Sequence, residues 1–308
     1  MGLGIIGTGA IAAVHAEGMI DATIPILGVS GINGSEVDEF SKKFKVERKY
    51  LNHLDLLSDS NIDAVIVATP SDTHASISID VLQSGKAVLC EIPIALNLDS
   101  YLAVRKAARD AKKLAAVCQT LRFSHAHIEL KRILKEENLQ PLTLLIRNLM
   151  LRQENIGWTG VKRTWTDSVL WHHGAHTFDL ALWLLEPTNP VIDIRSGPKW
   201  GNQQIMDING SIQSDDKRLA SINLSYHSRH QKNDVVVITE SDTFEITSGA
   251  LLRNGNRITP DVTNQQLLKS AVSTQDLSFL YAVKTGDHSQ VITIDSQFGV
   301  MNLLEGCG

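Results

Sequence analysis

Cysteine is scarce: 3 in 308 residues, Cys90, Cys118 and Cys307. They are too few and too scattered for a disulfide framework or a zinc ribbon. Two of them sit in apolar, strand-like surroundings and read as reduced core thiols. Positive charge is not in excess either, since 29 lysines and arginines stand against 34 acids for a net charge of −5. That balance argues against a nucleic-acid partner, whose phosphates call for a basic surface. No apolar run approaches the ~18–20 residues of a membrane span. The apolar N-terminus has no basic stretch and is broken by Gly4, Gly7, Gly9 and His15, unlike a secretory leader. The expectation is a soluble, cytoplasmic chain with no membrane partner. Repeats, low-complexity tracts and proline-rich linkers are missing too, so the domains are expected to join tightly.

What is there is globular composition, 43% apolar and 20% charged. The length exceeds what one core usually organises, so two domains of ~100–200 residues are expected. In residues 1–121 short apolar runs alternate with helical patterns. Leu3–Ile6, Ile24–Val29, Ala64–Ala68, Ala87–Cys90 and Ala115–Cys118 read as strands. Glu36–Phe44, His74–Gln83 and Ser100–Ala111 read as helices between them. This rhythm predicts βαβ units and a doubly wound parallel sheet covered on both faces. Residues 122–308 change character. Helical patterns at Ser124–Lys135, His172–Leu185, Gln275–Lys284 and Gln297–Leu304 flank strand-like stretches at Leu142–Leu149, Val191–Arg195, Met206–Ile212, Arg218–Tyr226, Val235–Thr239 and Thr243–Ile246. An α/β domain with an open, mostly antiparallel sheet follows.

Gly7-Thr8-Gly9-Ala10-Ile11-Ala12 fits G-x-G-x-x-A directly after the first strand and opens a helix. The first glycine permits the tight turn, the second lets backbone approach a pyrophosphate, and the small third residue lets helix and strand pack. Amide groups at the helix start then face the anion. The bland alternative is a tight βα turn, which the strand–turn–helix order argues against. The first domain is therefore read as a dinucleotide-binding Rossmann domain. An acid closing the second strand would favour NAD, but Ser30-Gly31-Ile32-Asn33 carries none before Glu36. No arginine stands there for a 2′-phosphate, although Ser30, Asn33, Ser35 and Lys43 offer donors. Of NADP and NAD, the missing carboxylate leans the expectation to NADP.

Several motifs recur in a known order: the glycine turn, Ala68-Thr69-Pro70 followed by His74, Glu91-Ile92-Pro93, and Gly174-Ala175-His176-Thr177-Phe178-Asp179. In this the chain resembles the glucose–fructose oxidoreductase/inositol dehydrogenase (Gfo/Idh/MocA) family along essentially its whole length. The resemblance implies hydride transfer between a nicotinamide and an alcohol or hemiacetal carbon at the carboxyl edge of the first sheet. It places Thr69, Pro70, His74, Glu91 and Ile92 beside the cofactor. It also implies a homodimer or homotetramer assembled through the open sheet of the second domain.

Two positions depart from the family pattern. Most members carry Glu-Lys-Pro, with the lysine assisting proton transfer, where Ile92 stands here; many have an aspartate at His172. A polyol substrate becomes less expected. One subgroup, the 4-carboxy-2-hydroxymuconate-6-semialdehyde dehydrogenases of bacterial aromatic catabolism, is similar in both replacements. Arg163-Thr164-Trp165-Thr166-Asp167, then Leu170-Trp171-His172-His173, carry the likeness, together with Arg122-Phe123, His127, Arg152 and Asn155. The subgroup implies a small carboxylated semialdehyde, cyclised to a hemiacetal and oxidised to a lactone. Gly31-Ile32 replaces the Ser-Arg pair of its NADP-using members.

The residue chemistry is compatible. A hemiacetal hydroxyl needs a base as hydride leaves, and an imidazole with a pKa near ~6.5 suits neutral pH. On a helix His172 and His176 share a face, with His173 three before His176. His176 or His173 is expected to be the base, with His172 orienting it. Arg122, Arg152 and Arg163 offer planar forks for substrate carboxylates, and Trp165 a planar contact. Asp179, three residues after His176, is a candidate to orient the imidazole. Three other readings remain open: a zinc site on the histidines, packed core histidines, and a dinucleotide-binding sensor without catalysis. A sugar, inositol or other dehydrogenase of the same family is the alternative activity.

Overall fold

A computed structural model describes residues 1–152, 168–201, 203–260 and 262–306. The chain divides into two compact units, one of Met1–Gln119 with Val272–Met301, the other of Thr120–Ala271 with the chain end from Asn302.

The first unit holds strands β1 (Leu3–Ile6), β2 (Ile26–Ser30), β3 (Arg48–Tyr50), β4 (Ala64–Val67), β5 (Ala87–Cys90) and β6 (Ala115–Val117). Between them run α1 (Ala10–Asp21), α2 (Gly34–Phe44), α3 (His53–Leu57), α4 (His74–Gln83) and α5 (Leu98–Ala111). The strands are parallel in the order β3-β2-β1-β4-β5-β6, the doubly wound arrangement the alternating pattern predicts. β1, β4 and β5 are buried along their whole length, which is why they read as continuous apolar runs. β3 has the sequence Arg-Lys-Tyr and is mostly exposed at the sheet edge, so hydrophobic pattern gives no sign of it.

The second unit holds α6 (His125–Glu136), β7 (Thr143–Leu151), α7 (Ala175–Leu185), β8 (Val191–Ser196), β9 (Asp207–Gln213), β10 (Leu219–Ser225), β11 (His227–Ile238), β12 (Thr243–Thr247), β13 (Ala250–Arg253) and β14 (Asn256–Arg257). These eight strands make one sheet in the order β14-β13-β12-β11-β7-β10-β9-β8. It is antiparallel except at β7–β10. β9 and β10 alternate buried and open positions, with Ile208, Gly210 and Ile212 on the covered face. α7 lies on that face: a Cβ at Gly210 would meet the Phe178 ring at 2.7 Å, so glycine there sets the helix-to-sheet distance.

Two helices close the chain, α8 (Asn264–Thr285) and α9 (Phe298–Glu305). The sequence places everything after residue 121 in one domain, whereas the contacts return Val272–Met301 to the first unit. The cause is packing: Phe279, Leu280, Ala282 and Val291 belong to the same buried cluster as Leu3, Ile5, Ala12 and Met19. Cys90 and Cys118 are buried free thiols, and Cys307 lies outside the described residues. No helix among the described residues is long and apolar enough to cross a membrane.

Candidate active site

In the first unit the glycine turn has the geometry a pyrophosphate needs. Gly7 sits at φ +116°, and a Cβ there would lie 2.2 Å from the Ala68 carbonyl oxygen. Both the conformation and the close approach require glycine. Gly9 caps α1 with extended backbone and no side-chain hydrogen bond to the first turn, so the amide groups of Ala10 and Ile11 are left to an anion. The residues present therefore fit a dinucleotide. Gly7→Ala is expected to abolish dinucleotide binding, read by fluorescence titration, and to lower the melting temperature; unchanged binding would contradict this role.

The other cofactor candidates divide. Thr8 lies on the turn and donates from Oγ1 to Glu36 Oε2 at 3.2 Å. Ser30 is buried at the end of β2, where its carbonyl accepts from Gly7 N at 2.8 Å. Asn33 is committed to capping α2, its Oδ1 accepting from the Ser35 and Glu36 amides. Ser35 Oγ also donates to that oxygen, and Lys43 pairs with Glu17 at 3.4 Å, so both engage protein groups. Thr69 and Pro70 form the turn after β4, and Thr69 Oγ1 accepts from Thr73 at 2.8 Å. His74 is buried with Nδ1 on the Pro93 carbonyl and Nε2 on the Thr69 carbonyl, each at 2.8 Å. Two carbonyl acceptors require both nitrogens to donate. Against the opposing effect of burial, Cys90 and these carbonyls push His74 up to about 9. His74 thus bolts together two loops at the carboxyl end of the sheet.

Ile92 is buried, and Glu91 is nearly so at the end of β5. Glu91 Oε1 meets His15 Nε2 at 2.9 Å, while His15 Nδ1 meets Asp276 Oδ2 at 2.6 Å. Burial opposes a charge on His15, yet Asp276 and Glu91 together push it up to about 10. Cys118 joins this group: ligand atoms of His15, Glu91 and Cys118 lie within 4.8 Å of one another. The donor set suits zinc, but both imidazole nitrogens already face carboxylates, and the arrangement is complete as an ion-pair network. Sequence reading missed it. Its one sign was a histidine flanked by Val14 and Ala16 in α1, with a carboxylate partner 261 residues away.

In the second unit a π-helical turn, Leu170–Gly174, leads into α7. His172 and His173 on this turn both reach one hydroxyl: Tyr226 Oη lies 2.9 Å from His172 Nδ1 and 2.6 Å from His173 Nδ1. The rings are 4.3 Å apart, and His173 meets Tyr226 edge-on. Arg152 donates from Nη1 to His172 Nδ1 at 2.7 Å and lies over the Tyr226 ring. Arg152 can only donate, so it takes the one lone pair of His172 Nδ1, and Tyr226 Oη accepts from His173 Nδ1–H. His173 Nε2 then carries a lone pair. Burial, followed by His176 and Arg152, pushes His173 down to about 3. Burial, His173, Arg152 and His176 push His172 well below its ordinary value. Both imidazoles are therefore neutral, where the sequence leads one to expect an ordinary pKa near ~6.5. Tyr226, buried just past the end of β10, was not anticipated, because an aromatic ring there reads as core.

Arg122, expected to seat a substrate carboxylate, closes its fork on the protein's own Asp179: Nε and Nη2 each donate at 2.6 Å. Asp179 is buried, and Arg122 also lies over Trp183. His127 is buried with no hydrogen bond at either nitrogen, and burial alone pushes it down to about 4. Asn155, Arg163, Trp165 and Asp167 lie outside the described residues.

Comparison with known proteins decides the family. A family model described as "Oxidoreductase family, NAD-binding Rossmann fold" (Gfo/Idh/MocA) matches residues 1–119, and one described as "Bacterial oxidoreductases, C-terminal" matches residues 124–256. The chain belongs to the Gfo/Idh/MocA oxidoreductases. It is similar to 4-carboxy-2-hydroxymuconate-6-semialdehyde dehydrogenase of Sphingobium sp., 25% identical over 99% of this chain and 98% of that one. Myo-inositol 2-dehydrogenase of Thermotoga maritima is 37% identical over 32% of this chain and 30% of its own. Among solved structures, an oxidoreductase from Agrobacterium radiobacter in complex with NAD+, L-tartaric acid and magnesium superposes with a TM-score of 0.86. It is 14% identical and is matched over 100% of this chain and 95% of that one, a likeness of fold. The chain is an NAD-binding oxidoreductase built on the two-sheet plan of this family.

Proposed function

We propose that this oxidoreductase oxidises a small carboxylated semialdehyde, in its cyclic hemiacetal form, to a lactone. The observation that carries the reading is the His172–Tyr226–His173 cluster beside Arg152, standing in a chain whose Glu91-Ile92-Pro93 lacks the family's lysine. The bound nicotinamide supplies the hydride acceptor. His173 Nε2 takes the hemiacetal proton, and the imidazolium that forms is stabilised through Nδ1–H by Tyr226 Oη. His172 holds the tyrosine hydroxyl in register, with Arg152 supplying a positive charge next to the acidic substrate. His176 belongs to the same electrostatic group, since it helps to push both neighbours down. Arg163 and Trp165 complete the substrate contacts in this reading, and Arg122 acts from behind through Asp179. A full-length relative named for a carboxylated semialdehyde supports the substrate class.

An inositol or sugar substrate is the second reading, favoured by the inositol dehydrogenases among the relatives. The purified protein is to be offered 4-carboxy-2-hydroxymuconate-6-semialdehyde, myo-inositol and a panel of sugars with NAD and with NADP. Turnover of the semialdehyde at least about 100-fold faster in kcat/KM than any polyol is expected, the scale of discrimination a polar site achieves. Faster turnover of a polyol would overturn the proposal, and tight dinucleotide binding without turnover of any compound would favour a sensor. Assembly as a homodimer or homotetramer belongs to the same proposal.

A further inference from the structure

The second strand ends without an acid, yet the structure brings one to the glycine turn from elsewhere. Glu36, in the first turn of α2, reaches across so that Oε2 accepts from Thr8 Oγ1 at 3.2 Å. Thr8 is the residue between the two glycines that approach the pyrophosphate. Glu36 Oε1 accepts from Asn33 Nδ2 at 3.4 Å, which holds the carboxylate from the other side. The end of β2 is tight against the turn: a Cβ at Gly31 would meet Thr8 Cγ2 and Val37 Cγ2, each at 3.0 Å. Gly31 thus lets strand end, glycine turn and helix start converge under one carboxylate. Beside them Ile32 is wholly exposed. An isoleucine with its whole side chain in solvent at this edge offers an apolar surface for a flat ring.

We infer that Glu36 takes the place of the missing strand-end acid and reads the adenosine ribose of the dinucleotide, with Ile32 as the platform for the adenine, so that the protein selects NAD over NADP. This rests on the nicotinamide-dependent reading above. A ribose 2′-hydroxyl and 3′-hydroxyl donate to a carboxylate, whereas a 2′-phosphate beside it meets like charge. The cations near by do not compensate. Lys43 is paired with Glu17 at 3.4 Å and Lys49 with Asp38 at 2.6 Å. On this inference the lean to NADP drawn from residues 30–33 gives way to NAD, through a side chain that the fold delivers from six residues beyond the strand end.

The test is direct binding of NAD and of NADP to the full chain by calorimetry, with no substrate present, for the native protein, Glu36→Gln and Ile32→Ser. Native protein is expected to bind NAD at least about 10-fold more tightly than NADP. Glu36→Gln is expected to bring the two within about 3-fold, chiefly by weakening NAD and strengthening NADP. Ile32→Ser is expected to weaken both equally. Equal or tighter NADP binding by the native protein, or an unchanged ratio in Glu36→Gln, overturns the assignment while leaving the dinucleotide-dependent reading intact. Binding of neither dinucleotide would overturn both, and because no substrate enters the measurement, the substrate class is not at stake in it.

Discussion

Replacing His173 by alanine lowers kcat/KM about 10²–10⁴-fold, the range a positioned general base contributes, with dinucleotide affinity unchanged. The effect is specific to the nitrogen left with a lone pair. Tyr226→Phe removes the hydroxyl that accepts from His173 Nδ1–H, and so costs activity by a different route. The tautomer is no longer fixed and the imidazolium loses its partner, so kcat falls more than KM changes. His172→Ala is expected to cost less than either, because it frees Tyr226 without removing the hydroxyl or the base. Steady-state kinetics on the three variants checks the order. Full activity in His173→Ala removes the proposed base.

The second large effect is on stability. Asp276→Ala is expected to cost about 3–5 kcal/mol, the usual result of stripping one partner from a buried ion pair. It leaves His15, with no exposed surface, facing Glu91 alone. Burial also raises Asp276 above the ordinary carboxylate value. Both shifts point one way: the folded chain holds protons at this network more tightly than the unfolded chain does. For His15 the stabilisation is full below pH ~6.5, the unfolded value, and is lost as pH rises through about 10. Denaturant titrations from pH 7 to 9.5 should show stability falling by up to about 1.4 kcal/mol per pH unit from this one proton. His15→Leu should lose this share of the slope and keep only that of His74, which is raised to about 9. A native protein whose stability is flat over that window contradicts the charged network.

Much of this was legible in the sequence because it rests on local pattern. The buried strands β1, β4 and β5 are runs of apolar residues with nothing else to be, and His74–Gln83 appears as a helix at the residues the periodicity marks. Where burial does not drive the element, the pattern is silent. The first half of β11, His227–Asp234, is polar and lies mostly on open sheet, so only its apolar end near Val235 stands out. The start of α8 is likewise polar, and the helix reads as beginning at Gln275 rather than at Asn264. The site divides along the same line. Gly7 and the three histidines are visible because spacing along the chain carries their meaning. Tyr226, Asp276 and Glu36 act through partners brought by tertiary structure, and no spacing rule connects Tyr226 to His173 or Glu36 to Thr8. The π-helical turn at Leu170–Gly174 has no sign in the sequence either.

In the proposed reaction a neutral imidazole pair, joined by Tyr226, takes the substrate proton. The pH dependence of kcat/KM for the carboxylated semialdehyde tests it most directly, because that profile reports the free enzyme's base. Burial and the neighbouring positive charges hold His172 and His173 below the ordinary histidine range, so the base stays unprotonated in mild acid. The profile is expected to be level from pH 8 down to about 5.5, below the ~6.5 of a free histidine. A steep loss of activity with a midpoint near ~6.5, retained in His173→Ala, would contradict it.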